Sequence, residues 1–120
     1  MSDEFIKVAT LEIKDEIASI KKILESCKDD SDVFKNSESI EKHIHKIKGL
    51  APMMGKKGLG EIAALNDKLL NHIIEGQNLA GIYSTLCESN VFMDQSIHGS
   101  DHSSQEIKQK IATKYSKYLD

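Results

Sequence analysis

Apolar residues recur every three or four positions along most of this 120-residue chain, and a single proline interrupts the pattern. This spacing places apolar side chains on one face of an α-helix, whereas a half-buried strand would alternate apolar and polar residues. Only 5% of the residues are aromatic, which also favours helices over a strand-rich sandwich or barrel. The sequence therefore predicts an all-α fold.

The apolar stripes predict five helices, at about residues 3–28, 37–53, 58–75, 79–97 and 104–118. Residues 29–36 are mostly polar and are expected to form a connection, after which Ser37 caps the second helix. Long amphipathic helices joined by short turns bury their apolar faces most simply in an antiparallel up-down bundle. We expect four helices in this bundle, with the C-terminal helix packed against one side and residues 1–120 forming one domain.

Charge and hydropathy exclude several classes of protein. Sixteen basic and nineteen acidic residues give a net charge of -3, which argues against a chain that mainly neutralises nucleic-acid phosphates. The amino terminus lacks the basic-then-apolar order of a signal peptide, and no apolar run approaches the roughly 20 residues needed to span a bilayer. Cys27 and Cys87 show no disulfide or zinc spacing. We therefore expect a cytoplasmic protein with two reduced cysteines and no membrane partner.

The second helix is predicted to carry an exposed histidine. Its buried stripe is expected to comprise Ile40, Ile44, Ile47 and Ala51. Because a helix turns about 100° per residue, His45 lies roughly 140° from the centre of this stripe and faces solvent. Lys48 and Gly49 follow one turn later. This arrangement leaves an imidazole nitrogen open to a large partner and places a positive charge near an arriving phosphoryl group.

Residues 45–49, HKIKG, resemble the HxxKG signature of histidine-containing phosphotransfer (HPt) domains. Residues 50–55, LAPMMG, are similar to the version in the amino-terminal domain of chemotaxis-type histidine kinases. The resemblance implies that His45 is phosphorylated, that Lys48 stabilises the phosphoryl group and that Gly49 keeps the approach clear. It also implies a carrier rather than an enzyme, with a histidine kinase and a response-regulator receiver domain as partners. No GxxxxGK[ST] nucleotide loop occurs in the sequence.

The chain departs from the chemotaxis-kinase pattern beyond this motif. In that family a glutamate on the next long helix hydrogen-bonds the imidazole, and counting without gaps places Asp67 there. This shorter carboxylate is expected to reach His45 through water or not at all. The family's neighbouring histidine is Ala64 here, and a large apolar residue is replaced by Lys56. An alternative function therefore stays open: an HPt-fold module that binds receivers or kinases as a regulator without transferring phosphate.

Pro52 is expected to disturb the second helix just after the proposed phosphorylation site. A proline inside a helix lacks an amide donor and clashes with the carbonyl four residues earlier, which belongs to Lys48. The sequence predicts either a kink with early fraying or a simple end of the helix, because Gly55 follows closely.

A docking surface is predicted around His45. Met53 is expected to be exposed beside Pro52, where an apolar patch is typical of a protein contact. Basic residues gather in the same region, either as an ordinary solvated face or as a patch that steers the acidic pocket of a receiver. These residues are Lys42, Lys46, Lys48, Lys56 and Lys57. Since each apolar stripe is used within the bundle, we expect a monomer.

The other histidines suggest no metal site. His43 is expected to be a half-buried structural residue, and His72 a surface residue. His98 and His102 are four apart, but a glycine and a serine between them argue against a helix. Since no carboxylate or thiol cluster completes a ligand set there, the sequence predicts neither a metal ion nor a cofactor.

Overall fold

The computed structural model describes residues 2–99 and 103–119, so His102 lies outside the described residues. Within these ranges the chain forms six α-helices and two short 3-10 turns, without a strand. The helices are α1 (Asp3–Glu25), α2 (Asp30–Lys35), α3 (Ser37–Leu50), α4 (Lys57–Ile74), α5 (Ile82–His98) and α6 (Gln105–Lys114). The 3-10 turns span Pro52–Met54 and Ser116–Tyr118. The predicted all-α fold is confirmed.

The four longest helices enclose a shared apolar core. Helices α1 and α4 each pack against both α3 and α5, while α2 contacts α3 and α5, and α6 lies on α4. The largest fully buried side chains are Ile13, Ile17, Ile20, Ile40, Ile44, Ile47, Leu59, Ile62, Leu69, Leu70, Leu79 and Ile82. Burying one such side chain contributes about 1.5–3 kcal/mol, so this core stabilises the fold. None of the helices described has the length and apolar composition required to cross a membrane.

The prediction that residues 29–36 form only a connection is wrong, because α2 lies within them. A carboxylate oxygen of Asp29 accepts a hydrogen bond from the Asp32 amide at 3.1 Å. The Asp32 carboxylate in turn accepts from the amide of Lys28 at 2.8 Å. These bonds satisfy amide groups that a helix start leaves free, and the burial of Val33 fixes the short helix to the core.

The end of α1 and the capping role of Ser37 differ from the sequence prediction, whereas the predicted start of the second helix at residue 37 is confirmed. Helix α1 ends at Glu25 rather than at residue 28. The next residue, Ser26, donates hydrogen bonds from its hydroxyl and its amide to the carbonyl of Ile23 in the last turn. Ser37 does not cap α3; its hydroxyl donates to the carbonyl of Phe34 at 2.9 Å. Because only Asn36 separates α2 from α3, Ser37 already lies in the first turn of α3.

Helix α5 begins at Ile82, three residues later than the predicted start at residue 79. Gly81 precedes it with φ of 81°, a left-handed conformation that glycine adopts without steric cost. The Asp30 carboxylate of α2 accepts from the amides of Gly81 and Tyr83, at 2.8 and 2.9 Å. The start of α5 is therefore capped by a side chain from another helix, a contact that the local sequence does not reveal.

The predicted end of the second helix at residue 53 is three residues too late, although the helix does end just before Pro52. The α-helix stops at Leu50, and the chain continues through the 3-10 turn Pro52–Met54 to Gly55, which has φ of 77°. Helix α4 then passes close to this turn. A Cβ atom on Gly60 would lie 3.2 Å from both Cδ and Cγ of the Pro52 ring. The small size of Gly60 therefore permits the close approach of α4 to the end of α3.

A buried carboxylate joins α1 to α3. Glu16 is 2.6 Å from Nδ1 of His43 and 3.6 Å from Nζ of Lys46. Burial raises the pKa of Glu16, but hydrogen bonds to His43 and Glu12 and the charge of Lys46 lower it more, so that the pKa lies below its usual value. His43 is half-buried and structural, as predicted.

His72 is not the simple surface residue that the sequence predicted. Its Nδ1 lies 2.7 Å from the Gln77 side-chain oxygen, and its Nε2 lies 2.9 Å from the Tyr118 carbonyl. The imidazole also meets the Tyr118 ring edge-on, with 5.3 Å between the centroids. The C-terminal turn folds back onto α4 and half-buries this histidine.

The contact between Gly60 and Pro52 can be tested against a second helical glycine. Alanine at either Gly60 or Gly49 removes the helix penalty of glycine, which is about 0.5–1 kcal/mol. Only Gly60→Ala also crowds a neighbour, since nothing lies within 4 Å of a Cβ atom at Gly49. We expect Gly60→Ala to be less stable than Gly49→Ala by about 1 kcal/mol or more in urea unfolding. Equal stability of the two variants would contradict this packing.

Acid pH should weaken the fold partly through Glu16. Since its pKa is lower in the folded protein than the usual 4.5, its stabilising effect is complete above that value and is lost as the pH falls through the folded pKa. We expect Glu16→Gln to lose less unfolding free energy than the wild type between about pH 7 and pH 3. Glu25→Gln, on the same helix, should behave like the wild type. Identical pH dependence of all three proteins would exclude this role.

Candidate functional site

His45 lies on the outer face of α3, and its side chain is 67% exposed. This position agrees with the exposure predicted from the helical spacing, because the neighbouring Ile44 and Ile47 fill the core. The Nδ1 atom is directed towards two carboxyl groups, at 3.6 Å from Glu41 and 3.9 Å from Asp67. The imidazole is therefore accessible while one of its nitrogens faces a negatively charged corner.

Lys48 is paired with Asp67 across the contact between α3 and α4. The Nζ atom lies 3.1 Å from Oδ2 of Asp67, whose side chain is only 5% exposed. A buried carboxylate needs a compensating charge, and this ammonium group provides it. Lys48 itself stays 45% exposed, so its head group is also close to solvent.

Asp67 does not hydrogen-bond His45 directly. The 3.9 Å separation between Nδ1 and Oδ2 exceeds a hydrogen-bond length, which agrees with the expectation for a carboxylate shorter than glutamate. The second carboxylate oxygen, Oδ1, is buried without a hydrogen-bond partner among the described residues. Asp67 therefore acts on the imidazole through its charge rather than through a bond.

Glu41 is the residue that the sequence analysis missed. It precedes His45 by one helical turn, and its side chain is 19% exposed between His45 and Asp67. Hydrogen bonding with Asp67, burial and the charge of Asp67 raise the pKa of Glu41 to about 7, against the opposing effect of His45 and Lys48. The i, i+4 spacing from His45 was the available sequence signal.

Gly49 borders His45 on its open side. A Cβ atom at this position would meet no atom within 4 Å. The fold therefore does not require a glycine here, although a glycine in a helix is destabilising relative to alanine.

The predicted docking residues divide into two groups. Exposed side chains are found at Lys42, Lys46, Pro52, Met53 and Lys57. Lys56 is half-buried instead, and its Nζ donates to the carbonyls of Ser96 and Gly99, each at 3.3 Å. A cation stabilises these carbonyls because they lie at the negative end of the α5 dipole.

Neither the known protein-family models, nor the curated proteins, nor the solved structures contain a match to this chain. The site of this chain combines the HKIKG segment of α3 with the exposed imidazole of His45, the lysine one turn away and the two carboxyl groups beside it.

Proposed function

We propose that this protein is a histidine phosphotransfer protein of a two-component phosphorelay. It accepts a phosphoryl group on His45 and passes it to an aspartate of a receiver domain. The observation that carries this proposal is the solvent-facing imidazole, with Lys48 one turn away and open space at Gly49. The protein is then a carrier and a substrate of a kinase or receiver, not an enzyme in its own right.

The orientation of the imidazole supports attack through Nε2. A neutral imidazole has one nitrogen with a free lone pair, and the other carries hydrogen. The carboxyl groups of Glu41 and Asp67 favour hydrogen on Nδ1, which faces them, so the lone pair lies on Nε2. This nitrogen attacks the phosphorus of a receiver phosphoaspartate; the N–P bond forms, the aspartyl O–P bond breaks, and the leaving carboxylate keeps the electron pair.

Lys48 is suited to stabilise the transferred group. Its ammonium group lies on Asp67 in this structure, but the side chain is close to half exposed and has four flexible methylene groups. The ammonium group can therefore move from Asp67 to the phosphoryl oxygens, where a charge-assisted hydrogen bond forms. In this proposal Asp67 holds Lys48 near His45 until the phosphoryl group arrives.

The exposed residues Lys42, Lys46, Pro52, Met53 and Lys57 form the proposed docking surface for a receiver or kinase. Met53 supplies apolar area, since 49% of it is exposed. The lysines attract the acidic pocket with which a receiver binds magnesium, and this attraction accelerates encounter. Lys56 was predicted to join them, and its bonds to the end of α5 support a structural role instead.

The proposed arrangement is an antiparallel up-down bundle of α1, α3, α4 and α5, with α6 added on one side. Two contacts between α3 and α4 support it. Near the end of α3, Pro52 approaches Gly60, whereas the earlier Lys48 pairs with the later Asp67. The later position on the α3 side thus meets the earlier position on α4, as expected for two helices that run in opposite directions.

We further propose that the bundle acts as a cytoplasmic monomer, without a cofactor.

A second candidate function is a regulator that binds receivers or kinases without transferring phosphate. The observation that favours it is the 3.9 Å gap between His45 and Asp67, which leaves the imidazole without the carboxylate hydrogen bond of the chemotaxis-kinase pattern. The two candidates share the docking surface and differ only in the reactivity of His45.

Substitution of the proposed acceptor tests the carrier function. We expect His45→Gln to abolish labelling by a radiolabelled kinase or receiver of the same organism while helix content is unchanged, because Nε2 is the only proposed acceptor. The label on the wild type should be acid-labile and alkali-stable. His43→Gln is the matched control and should label normally, since His43 points to Glu16. Undiminished labelling of His45→Gln would exclude the assignment; an unlabelled wild type that still binds a receiver supports the regulator.

The role of Gly49 separates stability from function. We expect Gly49→Ala to stabilise the protein by about 0.5–1 kcal/mol, because the new methyl group meets nothing within the chain. The same methyl group obstructs the approach of a partner, so the initial labelling rate should fall roughly tenfold or more. Urea unfolding and single-turnover labelling measure the two effects. An unchanged rate would show that the partner does not approach His45 across Gly49.

A further inference from the structure

Three side chains able to bind a metal ion meet at the proposed phosphorylation site, although the sequence predicted no metal. They are Glu41, His45 and Asp67, and one ligand atom from each lies within 4.8 Å of the others. We propose that they form a site for a divalent transition-metal ion, with Zn²⁺ as the best fit, and that the bound ion prevents His45 from accepting a phosphoryl group. The second half of this inference rests on the proposed function, whereas the binding site itself does not.

The distances suit a tetrahedral ion. The Nδ1 atom of His45 is 3.6 Å from Oε2 of Glu41 and 3.9 Å from Oδ2 of Asp67. Tetrahedral zinc, with ligands at about 2.0–2.1 Å, separates its ligand atoms by roughly 3.3 Å. Octahedral magnesium at about the same bond length brings neighbouring ligands to roughly 2.9 Å. For the two distances that involve His45, zinc therefore requires the smaller change, on the order of half an ångström.

The ligands are held by rigid elements. Glu41 and His45 lie one turn apart on the same face of α3, the spacing at which two side chains can reach one ion. Asp67 projects from α4, which packs along α3, and it is one of the buried residues of that helix. Binding therefore does not require either helix to move far, and a preorganised ligand set loses little conformational entropy.

A buried oxygen of Asp67 is a second observation that supports a cation site. The Asp67 side chain is about 95% buried, and its Oδ1 accepts no hydrogen bond from any described residue. Leaving a buried polar atom unpaired costs about 1–3 kcal/mol, and more for a charged group. A cation held by Oδ2 would place further positive charge beside this carboxylate and reduce the cost of its burial.

Lys48 competes with the metal ion for Asp67 but does not prevent the ion from binding. Its ammonium group contacts Asp67 at 3.1 Å, yet the side chain is flexible and 45% exposed, so it can withdraw to solvent. Two carboxyl groups and one ammonium group still favour a cation. Because His45 is exposed, the fourth position of a tetrahedral ion faces solvent and is open to water.

Binding of zinc at Nδ1 explains the predicted inhibition. Zinc binds the tautomer in which the hydrogen has moved from Nδ1 to Nε2, and it takes the lone pair of Nδ1. Nε2 then has no lone pair with which to attack phosphorus. Zinc and the phosphoryl donor therefore compete for His45 even though they approach different nitrogens.

Metal binding is measured first, on the complete chain after treatment with a chelator. We expect one Zn²⁺ per chain by calorimetry, and visible bands of tetrahedral Co²⁺ without a thiolate charge-transfer band. Glu41→Gln and Asp67→Asn should each weaken binding about tenfold or more. Glu38→Gln, on the exposed side of the same helix, should bind normally. Unchanged affinity in Glu41→Gln, thiolate bands from Cys27 or Cys87, or no binding at all would overturn the site.

Inhibition is measured with phosphoramidate, a small phosphoryl donor that requires no partner protein. We expect saturating Zn²⁺ to slow labelling of His45 at least tenfold in the wild type, and much less in Glu41→Gln. Labelling that zinc leaves unchanged, despite tight binding, would overturn the regulatory half. If the metal-free chain accepts no phosphoryl group from any donor, the carrier function fails, while the binding experiment still decides the metal site independently.

Discussion

The buried carboxylate of Asp67 is the constraint on which the site depends. A charged group on the packed side of α4 needs compensation, and the structure supplies it from α3 through Lys48. Hydrogen bonding with the same carboxylate raises the pKa of Glu41 to about 7. Both residues lie one helical turn from His45 on α3, so Asp67 meets them beside the imidazole. The arrangement of an exposed imidazole beside two carboxyl groups and an ammonium group is thus a consequence of one helix packing against another.

The core and His45 lie on opposite faces of α3. The residues that pack in the core are therefore separate from those that determine charge and access at the site. Ile44 and Ile47 are fully buried. His45, which lies between them in the sequence, and Lys48, which follows Ile47, face outward. Substitutions on the outer face therefore change charge and access with little effect on packing. Gly49 illustrates the point, because nothing in the fold requires a glycine there.

Local sequence signals predicted much of the fold and part of the site. The 3.6-residue period predicted the long helices and the exposure of His45, and the chemistry of proline predicted a disturbance of the second helix at Pro52. The end of α3 at Leu50, three residues before the predicted bound, was not predicted. The same period could not reveal α2, which forms because Asp29 and Asp32 cap a short turn. Glu41 precedes His45 by four residues, so the sequence placed it on the same face of the helix. Its raised pKa, however, depends on the neighbouring Asp67, which only the tertiary structure brings close.

The sequence by itself determined which residues are apolar, how often they recur and hence which face of each helix is buried. Tertiary structure decided which side chains meet across helices: Asp30 caps α5 from 51 positions away, and Lys48 pairs with Asp67 from 19 positions away. The physical reason is that helical periodicity is a property of neighbouring residues, set by backbone geometry. Pairing between helices depends instead on how the whole core packs, which no local stretch of sequence specifies.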